Sequence, residues 1–305
     1  MERDGILAAI GDTPLVALAH APGTGRVLAK LEGANPTGSM KDRMALSMIE
    51  GAERRGELGP GGRVVEYTGG STGSSLAMVC AAKGYEAHLI SSDAFSTEKL
   101  RTMEAFGATV EVLAAEDGQV TPDLIDRMIA RAHELADEPN TFWTDQFNNV
   151  DNRAGYHALG DELLAAMDRI DAFVMAVGTG GAYSGVAERL RDASPDTCLV
   201  AVEPATSRNL SGGEIVGHRQ QGIGVGFVPD IYRGDLVHEV VPVTDEEAFR
   251  AARRLAEEQG IFVGITSGTN FHVARQVADR LEAGATVVTL FVDTGFKYLS
   301  TDLFA

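Results

Sequence analysis

Three stretches constrain the fold of this chain more than anything else in it: "AFVMAVG" (172–178), "CLVAVEP" (198–204) and "TVVTLFVD" (286–293). Each is apolar on consecutive residues, with no polar alternation. Only a strand covered on both faces has that pattern, and such strands belong to parallel sheets with helices on each side. Parallel strands need long crossovers, and the intervening sequence supplies helical periodicity at about 153–169, 183–192, 245–259 and 268–283. The first half keeps the same rhythm. Strands are expected at 63–67, 87–91, 109–113 and 141–144, with a helix through "SSLAMVCAAKG" and its closing glycine. Ser96 is placed to cap a further helix that carries Leu100, Met103 and Phe106 on one face and stops at Gly107, and residues 121–137 form another. Strands alternating with helices specify an α/β fold. Two such lobes are expected, with a crossing near residue 145, and 205–243 is Gly-rich and irregular, a surface excursion or a binding loop.

Length and composition narrow the function. At 305 residues the chain is long enough for two lobes. Its formal net charge of −18 argues against non-specific nucleic-acid binding, which needs clustered positive charge. No run reaches the roughly 18 apolar residues of a membrane span. The opening "MERDGILAAIGDTPL" lacks the basic start and long apolar run of a secretory signal. Cys80 and Cys198, far apart and in apolar surroundings, are expected as buried thiols in a reducing cytoplasm. The seven histidines form no metal-binding pair.

The candidate chemistry lies in loops that follow strand carboxyl ends, where a doubly wound sheet binds ligands. "TGGSTG" (68–73) follows the strand at 63–67, and "GTGGAYSG" (178–185) follows "AFVMAV". Glycines there let the backbone approach a ligand, and the next helix's first amides can hold an anion. The glycine spacing matches neither a dinucleotide fingerprint nor a P-loop. A further loop, "NPTGSMKDR" (35–43), ends in a lysine that opens a helix. The chain has 26 basic residues but only five lysines, Lys30, Lys41, Lys83, Lys99 and Lys297. A lysine in that position suggests chemistry. A lysine upstream and a phosphate cup downstream suggest an aldehyde cofactor bound as a Schiff base.

Ordered motifs along nearly the whole chain then carry a resemblance: "GDTPLV" (11–16), "AKLEGANPTGSMKDR" (29–43), "EYTGGSTGSSLA" (66–77), "DQFNN" (145–149), "GTGG" (178–181), "QGIGVGFVP" (221–229), "GIFVGITSG" (260–268) and "YLSTDLF" (298–304). With them the chain resembles the cysteine synthase (O-acetylserine sulfhydrylase) and cystathionine β-synthase family of fold-type II pyridoxal-phosphate enzymes, whose two-lobed architecture is tryptophan synthase β-like. The resemblance implies a smaller lobe over 42–145 and a larger, cofactor-binding lobe from 1–41 plus 146–305. It implies pyridoxal 5′-phosphate as cofactor, with Lys41 as the Schiff-base lysine that moves protons at the substrate Cα. Gly178, Thr179, Gly180 and Gly181 match the phosphate cup. Thr68, Thr72 and Gln146 match carboxylate-binding residues, Gly224 faces the bound amino acid, and Thr266 contacts the pyridine nitrogen, with Ser267 as the alternative.

Where the family has "TSGNTG", this chain has Gly69 for a substrate-holding serine and Ser71 for an asparagine that bonds the ring hydroxyl. Ala182 replaces a threonine of the cup. The implied function is a transferase reaction: β-replacement on serine or an O-activated serine through an α-aminoacrylate, with sulfide or another thiol as nucleophile, as in cysteine biosynthesis. Three alternatives stand beside it: a lyase that releases pyruvate and ammonia, a β-replacement with a non-sulfide nucleophile in a specialised pathway, and a non-enzymatic cofactor-binding scaffold. A cytoplasmic homodimer is expected, with serine acetyltransferase as a candidate partner. His157 and His218 are read as hydrogen-bonding residues, Asp293 as structural and Trp143 as core.

Overall fold

The computed structural model of the protein describes residues 4–19, 22–118 and 121–305. The opening "MER" of the N-terminal stretch and His20 lie outside the described residues. In chain order the elements are β1 (Leu15–Ala17), β2 (Arg26–Leu31), α1 (Lys41–Arg55), β3 (Arg63–Tyr67), α2 (Ser71–Lys83), β4 (Glu86–Ser92), α3 (Thr97–Ala105), β5 (Thr109–Leu113), α4 (Pro122–Ala136) and β6 (Thr141–Trp143). There follow α5 (Val150–Ala154), α6 (His157–Ala166), β7 (Ala172–Ala176), α7 (Gly181–Ala193), β8 (Cys198–Pro204), β9 (Glu239–Val243), α8 (Asp245–Gln259), α9 (Ile265–Arg280) and β10 (Thr286–Phe291). Short 3-10 turns fill several connections.

The apolar runs behave as their pattern demands. All residues of β7 and β10 are buried, and the two strands lie side by side in a six-stranded sheet of order β1-β2-β10-β7-β8-β9. That sheet is parallel except for β1, which pairs antiparallel with β2. One apolar cluster includes Phe173, Met175, Leu199 and Leu290; the other includes Val174, Val200, Val202 and Phe291 from the same strands. Successive residues thus feed opposite layers, which is why neither face shows a polar stripe. The second sheet is four-stranded, order β5-β4-β3-β6, and wholly parallel. The two sheets, parallel but for one edge strand and interleaved with helices, are the α/β architecture that the alternating pattern demands.

Local signals account for several element ends. Thr244 and Glu247 form a reciprocal capping box at the start of α8, with the Thr244 hydroxyl accepting from the Glu247 amide at 3.3 Å. Asn149 caps α5, its side chain accepting from the Asp151 amide at 2.9 Å.

Four sequence expectations need correction. The helix expected over 153–169 is two, α5 and α6, separated at Gly155, where a side chain would strike Ser47 and the backbone of α1. The irregular stretch 205–243 ends in a regular strand, β9, hydrogen-bonded along β8. Ser96 does occupy the N-cap of α3, but its hydroxyl makes no capping bond, and the helix closes at Phe106 before reaching Gly107. Cys80 is buried, whereas Cys198, on the first residue of β8, is only half-buried. Among the described residues, no helix is long and apolar enough to cross a membrane, and no cluster of three or more His, Cys, Asp or Glu could hold a metal ion.

Candidate active site

Lys41 is held at the carboxyl edge of the large sheet by the loop before it. Ser39 pairs across an isolated antiparallel bridge with Asp293, just beyond β10. The Met40 amide donates to the Val292 carbonyl at 2.8 Å, and the Thr294 amide to that of Gly38 at 3.1 Å. The next residue locks the helix. Asp42 accepts from the Thr37 amide at 2.8 Å, from the Thr37 hydroxyl at 2.5 Å and from the Ser75 hydroxyl at 2.6 Å, tying α1 to α2. Arg43 then reaches Glu32 and Glu162 at 2.7 Å each, in a buried network with Lys30 and Thr13. Every neighbour of Lys41 is thus pinned, while its own Nζ makes no hydrogen bond or ion pair among the described residues. Burial pushes its ammonium down to about 8, with the Asp293 carboxylate opposing. A lysine whose proton is held more loosely than usual reaches its neutral, nucleophilic form nearer neutrality and is suited to nucleophilic and proton-transfer work.

The glycine cup follows the neighbouring strand, β7. Gly180 takes φ +85°, a left-handed conformation, directly before α7, so the loop turns and points the helix's first amides outward. A Cβ on Gly178 would collide with the Gly222 carbonyl, and one on Gly181 with the Asn152 side chain. The space is therefore kept for backbone alone. Asn152 donates to the Gln146 carbonyl at 2.6 Å and to the Thr179 hydroxyl at 3.2 Å. Its Oδ1, although buried, has no partner. The first amides of α7, which have no intrahelical acceptor, open on the same cup and suit an anion such as a phosphate.

On the small sheet, Thr68 to Gly70 link β3 to α2, which Ser71 opens. The Thr68 hydroxyl accepts from the Gly70 amide at 3.1 Å, and the Thr72 hydroxyl donates to Gln146 Oε1 at 2.9 Å. Gln146, just past β6, is held further by the Tyr67 carbonyl at 3.2 Å and by Glu66, which accepts its amide at 3.1 Å. Glu66 is fully buried; burial pushes it up to about 7, against hydrogen bonds from Thr144 and Gln146 that pull it down. Gly69 is explained by its neighbour. The Phe95 ring occupies the place where a side chain on residue 69 would lie.

Thr266 and Ser267 divide two tasks. The Thr266 hydroxyl donates to the Gln221 carbonyl at 3.0 Å from the first turn of α9. Ser267 Oγ is spent on the Val292 amide at 3.0 Å, inside the core. Gly224 holds φ +62° beside His218, whose Nε2 donates to the Gly224 carbonyl at 3.0 Å while Nδ1 accepts from the Gln220 amide at 3.2 Å. That pattern is a neutral, structural imidazole. His157 faces Glu188 at 2.9 Å on the surface side of α6. Trp143 is half-buried edge-on to His133, with ring centroids 4.4 Å apart. Asp293 accepts from the Tyr298 hydroxyl at 2.7 Å and leaves Oδ1 without a partner.

Sequence reasoning passed over three residues of this region. Lys99 and Lys297 both face Asp293, and Glu66 sets Gln146. A buried cation or carboxylate cannot be told from a surface one by local pattern. The signal available was the scarcity of lysine itself.

Residues 6–293 match the family described as "Pyridoxal-phosphate dependent enzyme". Cysteine synthase of Staphylococcus aureus is 40% identical over 307 residues, covering 99% of this chain and 97% of that protein. Among solved structures, O-ureido-L-serine synthase superposes with a TM-score of 0.92 at 36% identity, covering 100% of this chain and 96% of the other. Cysteine synthase from Entamoeba histolytica gives 0.92 at 35%, covering 100% and 91%.

Proposed function

Because the chain belongs to the pyridoxal-phosphate dependent enzyme family, in its cysteine synthase branch, we propose that it builds cysteine by replacing the β-substituent of an O-activated serine with sulfide. The observation that carries this reading is Lys41. Its ammonium is desolvated and unpaired, on a loop stitched to β10 beside the strand that ends in the glycine cup.

The residues fit the cofactor. Gly178, Thr179, Gly180 and Gly181 would hold its phosphate, Thr266 would face its pyridine nitrogen and Ser71 its ring hydroxyl. When bound, pyridoxal phosphate supplies an electron sink for charge that develops at the substrate Cα. The chain's own residues do the rest. Thr68, Thr72 and Gln146 orient the substrate carboxylate, while the Gly69 backbone and Gly224 flank the amino acid without side chains of their own. Lys41 takes the Cα proton and later returns it. A threonine hydroxyl at position 266 cannot keep a pyridine nitrogen protonated as a carboxylate would, which favours β-substituent loss over transamination. Phe147 packs between Tyr67 and Phe227, at centroid distances of 6.0 and 5.2 Å, directly after the Gln146 that would orient the carboxylate.

The same reading takes the chain as a cytoplasmic homodimer, divided into lobes at 41/42 and 145/146, with serine acetyltransferase as a docking partner. Size-exclusion chromatography and co-purification test those points. For the reaction, the visible band of the purified protein is followed as O-acetyl-L-serine and then sulfide are added, with cysteine, acetate, pyruvate and ammonia measured. A band that shifts with the donor and returns with sulfide, as cysteine accumulates, supports the reading. Pyruvate and ammonia formed equally with and without sulfide would replace it with a lyase. A protein that takes up no pyridoxal phosphate would remove the role of Lys41.

A further inference from the structure

Asp293 is a buried acid to which the reaction as described gives no task, yet the backbone is built around it. The segment 292–295, just past β10, is stitched to a loop on each side. On one side Ser39 bridges to Asp293, the Met40 amide donates to the Val292 carbonyl and the Thr294 amide to that of Gly38. On the other side Val263 bridges to Thr294, the Gly264 amide donates to the Asp293 carbonyl at 3.3 Å, and the Gly295 amide to that of Phe262 at 3.1 Å. Asp293 therefore stands between the loop that delivers Lys41 and the start of α9, where Thr266 lies.

Two neighbours seat its side chain, which is 4% exposed. The Tyr298 hydroxyl donates to Oδ2 at 2.7 Å and fixes the rotation of the carboxylate, while Oδ1 is buried and has no partner. Gly264 makes the room: a Cβ there would collide with Asp293 Oδ1 and with the Tyr298 ring. The φ of Gly264 is −79°, which any residue adopts, so that oxygen and ring are what require a glycine. The positive end of α9 begins at the same place and favours an ionised carboxylate. Charged and titratable groups face Asp293 from three elements: Lys99 from α3, Lys41 from the start of α1, and Lys297 and Tyr298 from the turn after β10. Among the described residues the lysines held in ion pairs are Lys30 and Lys83, and none of these three is. The nearby acids are occupied, Asp42 by Thr37 and Ser75 and Glu98 by Ser300. Asp293 Oδ1 is thus the acceptor left open to an ammonium.

We propose that Asp293 is the positioning residue of Lys41: its open Oδ1 meets the Lys41 ammonium in the interval between removal of the Cα proton and its return. The inference rests on the proposed function, in which Lys41 carries that proton, and adds the group that keeps it there. Neutral Lys41 takes the proton and becomes an ammonium, and the same nitrogen later gives the proton back. Asp293 stays ionised throughout, accepts no proton and forms no covalent bond. In a site this dry a proton on Lys41 with no counter-charge is expelled by desolvation, and the return step loses its acid.

Asp293→Asn keeps the shape and an acceptor for Tyr298 and removes the charge, whereas Tyr298→Phe keeps the charge and removes the hydrogen bond. The first readout needs no turnover. The full-length chain is freed of cofactor, pyridoxal phosphate is added, and the rate at which the visible band appears is followed against pH, since only neutral Lys41 reacts. The wild-type midpoint is expected at about 8. Asp293→Asn moves it down by about one pH unit or more, as loss of a nearby opposite charge requires, and Tyr298→Phe leaves it within about 0.3. The second readout is the holoenzyme with O-acetyl-L-serine and sulfide. The alkaline limb of kcat moves down by the same amount in Asp293→Asn, so kcat above both midpoints falls about tenfold while the donor KM stays within about threefold. Should Asp293→Asn fail to fold, Asp293→Ser, smaller and uncharged, carries the same expectations. An uptake midpoint that the neutral variants leave in place overturns the proposal. A kcat loss equal at every pH also overturns it, since that marks a role in packing alone, and so does an equal downward shift in Tyr298→Phe. A wild type that takes up pyridoxal phosphate but makes no cysteine would sink the proposed function, while the uptake midpoints still decide whether Asp293 holds the charge of Lys41.

Discussion

Restoring the family's serine at position 69 should damage this protein. Gly69 does not adopt positive φ, so a serine meets no backbone penalty there. The obstacle is steric. A Cβ at residue 69 would lie well inside 3.0 Å of three atoms of the Phe95 ring, Cε1, Cδ1 and Cζ, so the ring must swing out of its half-buried seat. Overpacking of this kind costs about 1–3 kcal/mol. In urea unfolding at constant slope, Gly69→Ser should lower the midpoint accordingly, and in a thermal scan it should lower Tm by about 2–4 °C per kcal/mol. The decisive comparison is a double-mutant cycle. Phe95→Ala removes the obstacle, so adding Gly69→Ser to that variant should cost less than about 0.5 kcal/mol, giving a coupling of about 0.5–3 kcal/mol. Equal costs in the two backgrounds, or no cost in either, would show that Phe95 does not exclude the serine, and the account of Gly69 would fall.

Gly178→Ala should weaken pyridoxal phosphate retention at least about tenfold, because the new methyl meets the Gly222 carbonyl, a backbone atom that cannot step aside; dialysis followed by the visible band measures it. Glu66 predicts a pH effect. Its native pKa of about 7 lies above the unfolded value, so the folded state holds the extra proton between about pH 4.5 and 7. Stability from this group is present at low pH and falls by about 3 kcal/mol as pH rises through 7. Glu66→Gln should flatten that part of the urea-midpoint profile, and an unchanged profile would contradict the assignment. Glu32→Ala strips Arg43 of contacts at 2.7 and 2.9 Å and should cost about 3–5 kcal/mol by denaturant titration.

Much of the architecture could be read from the chain because the reasons for it are local. β7, β8 and β10 are sealed on both faces and carry consecutive apolar residues to suit. β2 escaped notice because its burial depends on a distant partner: Lys30 enters the core only by pairing with Glu162. The break between α5 and α6 has no proline to announce it; Gly155 is required by the close approach of α1, which local sequence does not show. The cup and Lys41 were legible as motifs, since glycine spacing and a loop-to-helix lysine are one-dimensional signals. Lys99, Lys297 and Glu66 were not, because a charge acquires unusual chemistry only when folding removes water from it. The choice between Thr266 and Ser267 likewise needed to know which hydroxyl the Val292 amide had already claimed.

The order of strands in the large sheet has a consequence for how the molecule comes into being. Its central strand β10, flanked by β2 and β7, is the last strand in the sequence, whereas the small sheet is drawn from one continuous stretch. As the chain emerges N-terminal end first, β3 to β6 can close upon themselves through short-range contacts, while β2 and β7 must wait with open edges for a partner still unmade. The glycine cup and Lys41 sit on either side of that missing strand. The binding cleft therefore cannot be complete before β10 is in place, and until then the nascent large sheet is the part that chaperones have reason to shield.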